Sequence, residues 1–128
     1  MDITTPRTDA AKSRQLGSAH SGTHHMWHMR LTSLALLPLT IGFVWLVLSL
    51  LGKDYAQVRS ALATPGPALL LLLFIGAGVY HMQLGMQVII EDYVHGEGAR
   101  TMALAVNVFV CVTMGLACVY AVLKLSFV

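Results

Sequence analysis

The stretch ALLLLLFIGAGVYHMQLGMQVII, residues 68–90, decides the fold of this chain. It contains no Asp, Glu, Lys or Arg, and a helix of this length crosses the ~30 Å hydrocarbon layer of a bilayer at ~1.5 Å per residue. Two further runs, Leu31 to Leu51 and about Thr101 to Leu123, also lack these residues. A soluble helical bundle needs a charged face on each helix. The sequence therefore predicts an all-α integral membrane bundle of three transmembrane helices.

The composition of the whole chain supports a membrane location. Its 128 residues are 56% hydrophobic and 11% charged, with a mean hydropathy of +0.70, whereas soluble domains carry roughly a quarter charged residues. The net charge is only +2 and the basic residues form no dense block, which argues against nucleic acid as a partner. The predicted partner is the lipid membrane.

The chain divides into two predicted parts. Residues 1–22 are polar and rich in Ser, Thr, Gly and Ala, and are expected to form a flexible arm outside the membrane. Residues 23–128 form the three-helix anchor. The first connector ends in Pro-Gly-Pro, which predicts a turn with Pro67 near the start of the second helix. The second connector, residues 91–100, is short, so helices two and three should be antiparallel neighbours.

Basic residues near the ends of the spans predict the orientation. More of them fall on the side of the N-terminus than on the other side, which favours a cytoplasmic N-terminus. The inner set is Arg7, Lys12, Arg14, Arg30 and Arg100, and the outer set is Lys53, Arg59 and Lys124.

The two cysteines, Cys111 and Cys118, lie seven residues apart in the third run, on one helical face. Buried packing is favoured over a disulfide or a metal pair, because two ligands cannot close a zinc site.

His81 lies near the middle of residues 68–90 and is the only histidine in the three runs. An imidazole in hydrocarbon needs a partner on at least one nitrogen. Two interpretations stay open: a packing histidine hydrogen-bonded to another helix, and a haem ligand. Gly78 and Gly85 lie about one turn before and after it on the same face, where a flat macrocycle could approach. The same pattern also suits close helix packing.

Asp92 and Tyr93 follow at the end of the second run. Asp92 projects to nearly the same side as His81, about 16 Å further along the helix axis. Their ordinary roles are a solvated helix end and an aromatic anchor at the membrane interface. The functional alternative is a polar pocket at the membrane edge, where a phenol donates a hydrogen bond to a carbonyl and a carboxylate helps to pass protons.

The segment GSAHSGTHHMWHMR, residues 17–30, precedes the first run. His24 and His28 are one turn apart, but no carboxylate or thiol joins them in a metal site. Arg30, at the edge of the run, either reaches toward lipid phosphate or pairs with a buried anionic group such as a haem propionate.

The spacing of His81, Gly85, Asp92 and Tyr93, with His24 and Arg30 before the first of three spans, resembles the D-type hydrophobic membrane-anchor subunit (cytochrome b556 small subunit) of succinate dehydrogenase, respiratory complex II. The resemblance covers about residues 17–125 and is closest to proteobacterial members. It implies a multi-pass protein of the bacterial inner membrane. The implied partners are a second, C-type anchor subunit, an iron-sulfur subunit and a flavoprotein subunit.

The resemblance also implies roles for individual residues. His81 would be one axial ligand of a haem b shared with the C-type subunit, and Arg30 and His24 would lie near the haem propionates. Tyr93 would donate a hydrogen bond to a ubiquinone carbonyl, with Asp92 supporting the site or its proton delivery. His20, His25 and His28 receive no role, and they leave the assignment within the histidine cluster open.

The chain has neither a flavin-binding glycine fingerprint nor a cysteine framework for iron-sulfur clusters. It is therefore expected to act as a subunit, not as the dehydrogenase itself. Two other classes remain. One is a haem-free structural anchor or an assembly subunit of another respiratory complex. The other is a small metal transporter or sensor, against which the lack of paired polar ligands within the spans counts.

Overall fold

The computed structural model describes residues 21–127, with side chains from His24 onward. This part of the chain is helical and contains no strand: α1 is Ser21–Ser49, α2 is Tyr55–Leu62, α3 is Pro65–Tyr93 and α4 is Glu97–Phe127. Three of the helices, α1, α3 and α4, are long and apolar enough to span a membrane. The predicted all-α, multi-pass membrane fold is confirmed. The predicted arm lies outside the described residues except for its last two, Ser21 and Gly22, which begin α1.

The three long helices extend beyond the apolar runs that predicted them. Hydropathy marks only the part of a helix that suits hydrocarbon, whereas backbone hydrogen bonding continues into the polar segments on either side. α3 begins at Pro65, where the missing N–H of proline costs no helical hydrogen bond. The sequence placed this start near Pro67.

The first connector contains a helix that the sequence analysis did not predict. Asp54 caps α2, because its Oδ1 accepts a hydrogen bond from the Gln57 backbone N–H at 2.8 Å. In return, Gln57 Oε1 accepts from the Asp54 backbone N–H at 3.2 Å. These reciprocal bonds form a capping box. Gly52, at φ +76°, turns the chain between α1 and α2.

α3 lies between the other two long helices. It packs against both α1 and α4, whereas α1 and α4 do not contact each other within residues 21–127. Phe43 and Phe74 stack between α1 and α3 with ring centroids 4.6 Å apart. Between α3 and α4 the backbones approach at Gly115, where a Cβ would lie 3.4 Å from Val79 Cγ1. The antiparallel neighbours predicted for helices two and three are thus present, and the three long helices form an open row.

Very few side chains are enclosed by this row. The buried side chains among the described residues are Leu84, Cys111, Val122 and Asn107, each less than a tenth exposed. Both cysteines are free; Cys111 is buried, in agreement with the predicted packing role, whereas Cys118 is partly exposed. Most large apolar side chains therefore point away from the chain, toward lipid or another subunit.

Asn107 supplies a polar contact between α3 and α4 that the sequence analysis missed. Its Nδ2 donates to the backbone carbonyl of Gln83 at 3.0 Å, and its Oδ1 lies 3.5 Å from the Cys111 thiol, which donates to it. A buried amide in an apolar helix needs such partners. The signal in the sequence is a single Asn inside an apolar run.

We expect Asn107→Leu to loosen the packing of α4 on α3. The variant loses the bond to Gln83 and leaves the Cys111 thiol without its acceptor. Hydrogen bonds between transmembrane helices contribute about 0.6 to 2 kcal/mol, so the unfolding midpoint of the purified complex should fall. The matched control is Thr113→Leu, an exposed polar position on the same helix. Equal midpoints for the two variants would show that the Asn107 contact does not stabilise the bundle.

Candidate functional site

The imidazole of His81 on α3 contacts a hydroxyl on α1. His81 Nδ1 lies 3.0 Å from Thr32 Oγ1. The same hydroxyl lies 2.9 Å from the carbonyl of His28 and 3.0 Å from that of Met29, within its own helix. One ring nitrogen is therefore satisfied by a neighbouring helix, as the packing interpretation of His81 requires.

The other ring nitrogen of His81, Nε2, is in a different situation. The hydrogen bonds between the described residues include none to this atom. The enclosed side-chain nitrogen without a partner in that part of the chain is instead Nε2 of His25. The packing interpretation thus explains Nδ1 and gives Nε2 no partner among the described residues, although an imidazole nitrogen in hydrocarbon needs one.

The two glycines on either side of His81 are not tightly packed against other described residues. A Cβ added at Gly85 would meet no atom within 4 Å, and one added at Gly78 would meet only Leu36 Cδ2, at 4.0 Å. The two glycines are therefore not required for close packing between helices of this chain. An imidazole nitrogen without a partner among the described residues, with a glycine about one turn away on either side, is compatible with an axial haem ligand.

A second contact from α1 reaches the residue before His81. The Tyr80 hydroxyl lies 3.0 Å from His28 Nδ1, and the two rings meet edge to face with centroids 6.1 Å apart. His28 and Thr32 are one turn apart on α1, and they contact consecutive residues of α3. These two contacts fix the register of α1 against α3.

That register revises the depth of His81. The first apolar run begins at Leu31, beside Thr32, and so at the level of His81 along the helix axes. His81 therefore lies near the middle of its own apolar run but at the polar end of the run on α1. His81 remains the only histidine of the three apolar runs, but α1 continues through the histidine cluster and places His28 beside Tyr80. Arg30 also lies at this level.

His24 and Arg30 line one cavity of about 270 Å³ together with Met26 and Trp27. The structure thus brings the two predicted propionate-binding residues together. Arg30 is two residues from Thr32, so it projects about 160° away from the residue that faces His81. Arg30 therefore lies at the level of His81 along α1 but projects away from the face of α1 that contacts α3.

The other histidines of the cluster have separate surroundings. The Nε2 atom of His25 is enclosed, His28 pairs with Tyr80, and His20 lies outside the described residues. Among the described residues, no three His, Cys, Asp or Glu side chains come together as they would around a metal ion.

Asp92 and Tyr93 form the last residues of α3. The helix ends as the Val94 backbone N–H donates to the Ile90 carbonyl at 3.0 Å, and the Tyr93 side chain is 78% exposed. Asp92 is exposed as well. Any pocket that encloses a ring against Tyr93 therefore needs walls from outside the described residues.

Comparisons with known proteins agree with the resemblance seen in the sequence. The sequence profile of the family described as "Succinate dehydrogenase/Fumarate reductase transmembrane subunit" matches residues 4–117. A protein of Paracoccus denitrificans named "Succinate dehydrogenase hydrophobic membrane anchor subunit" is 35% identical over 126 residues, which cover 98% of this chain and 95% of that protein.

Relatives with the same name occur in Rickettsia. The protein of Rickettsia bellii is 32% identical over 109 residues, 84% of this chain and 87% of its own. The protein of Rickettsia conorii is 30% identical over 110 residues, with the same coverage. No solved structure matches the chain significantly. The extent of these matches confirms the resemblance, and the chain belongs to the succinate dehydrogenase/fumarate reductase transmembrane subunit family.

Proposed function

We propose that this membrane-anchor subunit of succinate dehydrogenase co-ligates a haem b through His81 and contributes Tyr93 and Asp92 to a ubiquinone site. The proposal rests on the different surroundings of the two ring nitrogens of His81. Nδ1 is held by Thr32 at 3.0 Å, whereas Nε2 has no hydrogen bond among the described residues, and a Cβ at Gly85, one turn further along, would meet no atom within 4 Å.

In the proposed site, the two axial ligands of the haem come from two different chains. A haem b with two histidine ligands transfers single electrons and keeps no open iron position for oxygen. His81 supplies one ligand, and we propose that a C-type anchor subunit supplies the other. The open row of α1, α3 and α4 supports a shared site, because it leaves both broad faces of α3 available to a partner.

The proposed quinone site lies about 16 Å along α3 from His81. The Tyr93 hydroxyl donates a hydrogen bond to a quinone carbonyl, which orients the ring and favours negative charge on that oxygen during reduction. Asp92 relays protons from the aqueous side. The exposure of both side chains supports a pocket completed by other subunits.

The flavoprotein and iron-sulfur subunits are proposed to dock on the cytoplasmic side, where α3 ends and α4 begins, with the chain in the bacterial inner membrane. This orientation rests on the distribution of basic residues. Among the described residues, two basic residues lie on the side of the N-terminus, Arg30 and Arg100. Three lie on the other side: Lys53, Arg59 and Lys124. Three further basic residues lie outside the described part of the chain, on the side of the N-terminus: Arg7, Lys12 and Arg14. With them, the larger number of basic residues is on the N-terminal side, which favours a cytoplasmic N-terminus.

We further propose that Arg30, with His24, pairs with the haem propionates. Replacing Arg30 by Gln is expected to weaken haem retention by about 1.5 to 3 kcal/mol, the range for a hydrogen bond to a charged group. The haem potential should also fall, because a positive charge near the haem favours the reduced form. Redox titration of the purified complex measures this shift.

The control for Arg30 is Arg59→Gln, which removes a cation of α2 near the opposite ends of the spans. It should leave the haem unchanged. If Arg30→Gln and Arg59→Gln gave the same potential and haem content as the native complex, Arg30 would be assigned to lipid phosphate instead.

The visible spectrum of the gently purified native complex tests the proposal as a whole. We expect a low-spin b-type signal in the reduced-minus-oxidised difference. The competing function is a haem-free structural anchor, and the hydrogen bond between His81 and Thr32 favours it because a packing histidine would make the same contact. A complex with all its subunits and no haem signal would establish that alternative.

A further inference from the structure

The hydroxyl of Thr32 makes three close polar contacts but has only one proton to donate. Two of its neighbours, the carbonyls of His28 and Met29, can only accept. The third, His81 Nδ1, can donate or accept according to the tautomer. Threonine hydroxyls in apolar helices commonly donate to a carbonyl one turn earlier. The remaining lone pairs of Thr32 then face His81.

This arrangement determines where the imidazole proton lies. When the Thr32 proton goes to a carbonyl of α1, His81 Nδ1 must carry the ring proton and donate it to Oγ1. The lone pair of the neutral ring is then on Nε2, the nitrogen that has no hydrogen bond among the described residues. A neutral imidazole binds a metal ion through the nitrogen that lacks the proton.

We propose that Thr32 is a positioning residue for His81: it fixes the Nδ1–H tautomer and the orientation of the ring, so that Nε2 faces the haem. This inference rests on the proposed haem-ligand role of His81. Outer-shell partners of this kind orient metal-binding histidines and raise their basicity. The pairing of Tyr80 with His28 one turn away holds α1 in the register that the contact needs.

A more basic ligand stabilises ferric over ferrous haem. Loss of the Thr32 acceptor should therefore raise the haem midpoint potential. It should also lower the haem content of the purified complex, since losing an outer-shell partner typically costs ~10- to 100-fold in metal affinity or activity. Thr32 touches neither the iron nor the quinone, so these effects act through His81.

The test compares three variants of the intact complex by redox titration and haem content. Thr32→Val keeps the shape and removes the acceptor, and it should raise the midpoint potential. Thr32→Ser keeps the hydroxyl and should restore the native potential. The matched control is Ser33→Val. Ser33 is exposed and is the next residue after Thr32, which faces His81. Its hydroxyl donates to the Met29 carbonyl at 2.8 Å.

The possible results separate the two proposals. The inference is supported if Thr32→Val raises the haem midpoint potential or loses haem, and if Thr32→Ser retains the native potential and haem content. An unchanged potential in Thr32→Val with haem in place overturns it, as does a Thr32→Ser complex that behaves like Thr32→Val. A native complex without any haem overturns the proposed ligand role itself, and the inference with it.

Discussion

Replacing His81 by Ala is expected to abolish or strongly reduce the low-spin b-type signal of the complex. The substitution removes the nitrogen that would bind the iron, and a haem held by one remaining axial ligand becomes high-spin or is lost. The difference spectrum and the haem-to-protein ratio of the purified complex measure the effect. Subunit content, determined on the same sample, shows whether the anchor still assembles.

Two further variants separate ligation from packing. His95→Ala, which removes an exposed histidine of the connector between α3 and α4, should leave the spectrum unchanged. His81→Gln keeps a polar side chain opposite Thr32 and should still lose the low-spin signal. A native spectrum in both His81 variants would mean that the haem is ligated elsewhere, and His81 would then be a packing residue.

Tyr93→Phe is expected to impair quinone reduction while leaving the haem spectrum intact. The change removes one hydroxyl and keeps the aromatic ring at the membrane surface. The lost hydrogen bond is worth about 1 to 1.5 kcal/mol, which corresponds to a succinate:quinone reductase rate that is lower by roughly five- to thirteenfold. Electron transfer to an artificial acceptor that accepts electrons before the quinone site should be unchanged.

Tyr120→Phe is the control for Tyr93, because Tyr120 is an exposed tyrosine of α4, 66% accessible. It should retain the native rate with quinone and with the artificial acceptor. Normal quinone kinetics in Tyr93→Phe would remove Tyr93 from the proposed site and restrict it to the role of an interfacial anchor. The haem proposal would be unaffected by that result.

The main architecture could be predicted from the sequence because hydropathy and helix length are local properties. The three spans were found by the absence of charged residues over lengths that cross a bilayer. α2 was missed although its signal, Asp54 followed three residues later by Gln57, is also local. An eight-residue helix between two apolar runs is easily read as a loop when only hydropathy is considered.

The site was less predictable because it depends on the register between helices. The spacing from His81 to Asp92 and Tyr93 is set within one helix and could be predicted. The contact of His81 with Thr32 joins residues far apart in the chain, and no periodicity reports it. The contact of His28 with Tyr80 could not be predicted for the same reason.

The scarcity of enclosed side chains has a consequence for how this chain can diverge. With only Leu84, Cys111, Val122 and Asn107 buried among the described residues, internal packing constrains few positions. Elsewhere on the spans, exchange of one apolar residue for another is limited mainly by what lies outside the chain. Relatives at 30 to 35% identity over most of the length are therefore compatible with an unchanged helix row. Substitutions on its outward faces should be matched by compensating changes in the neighbouring subunits.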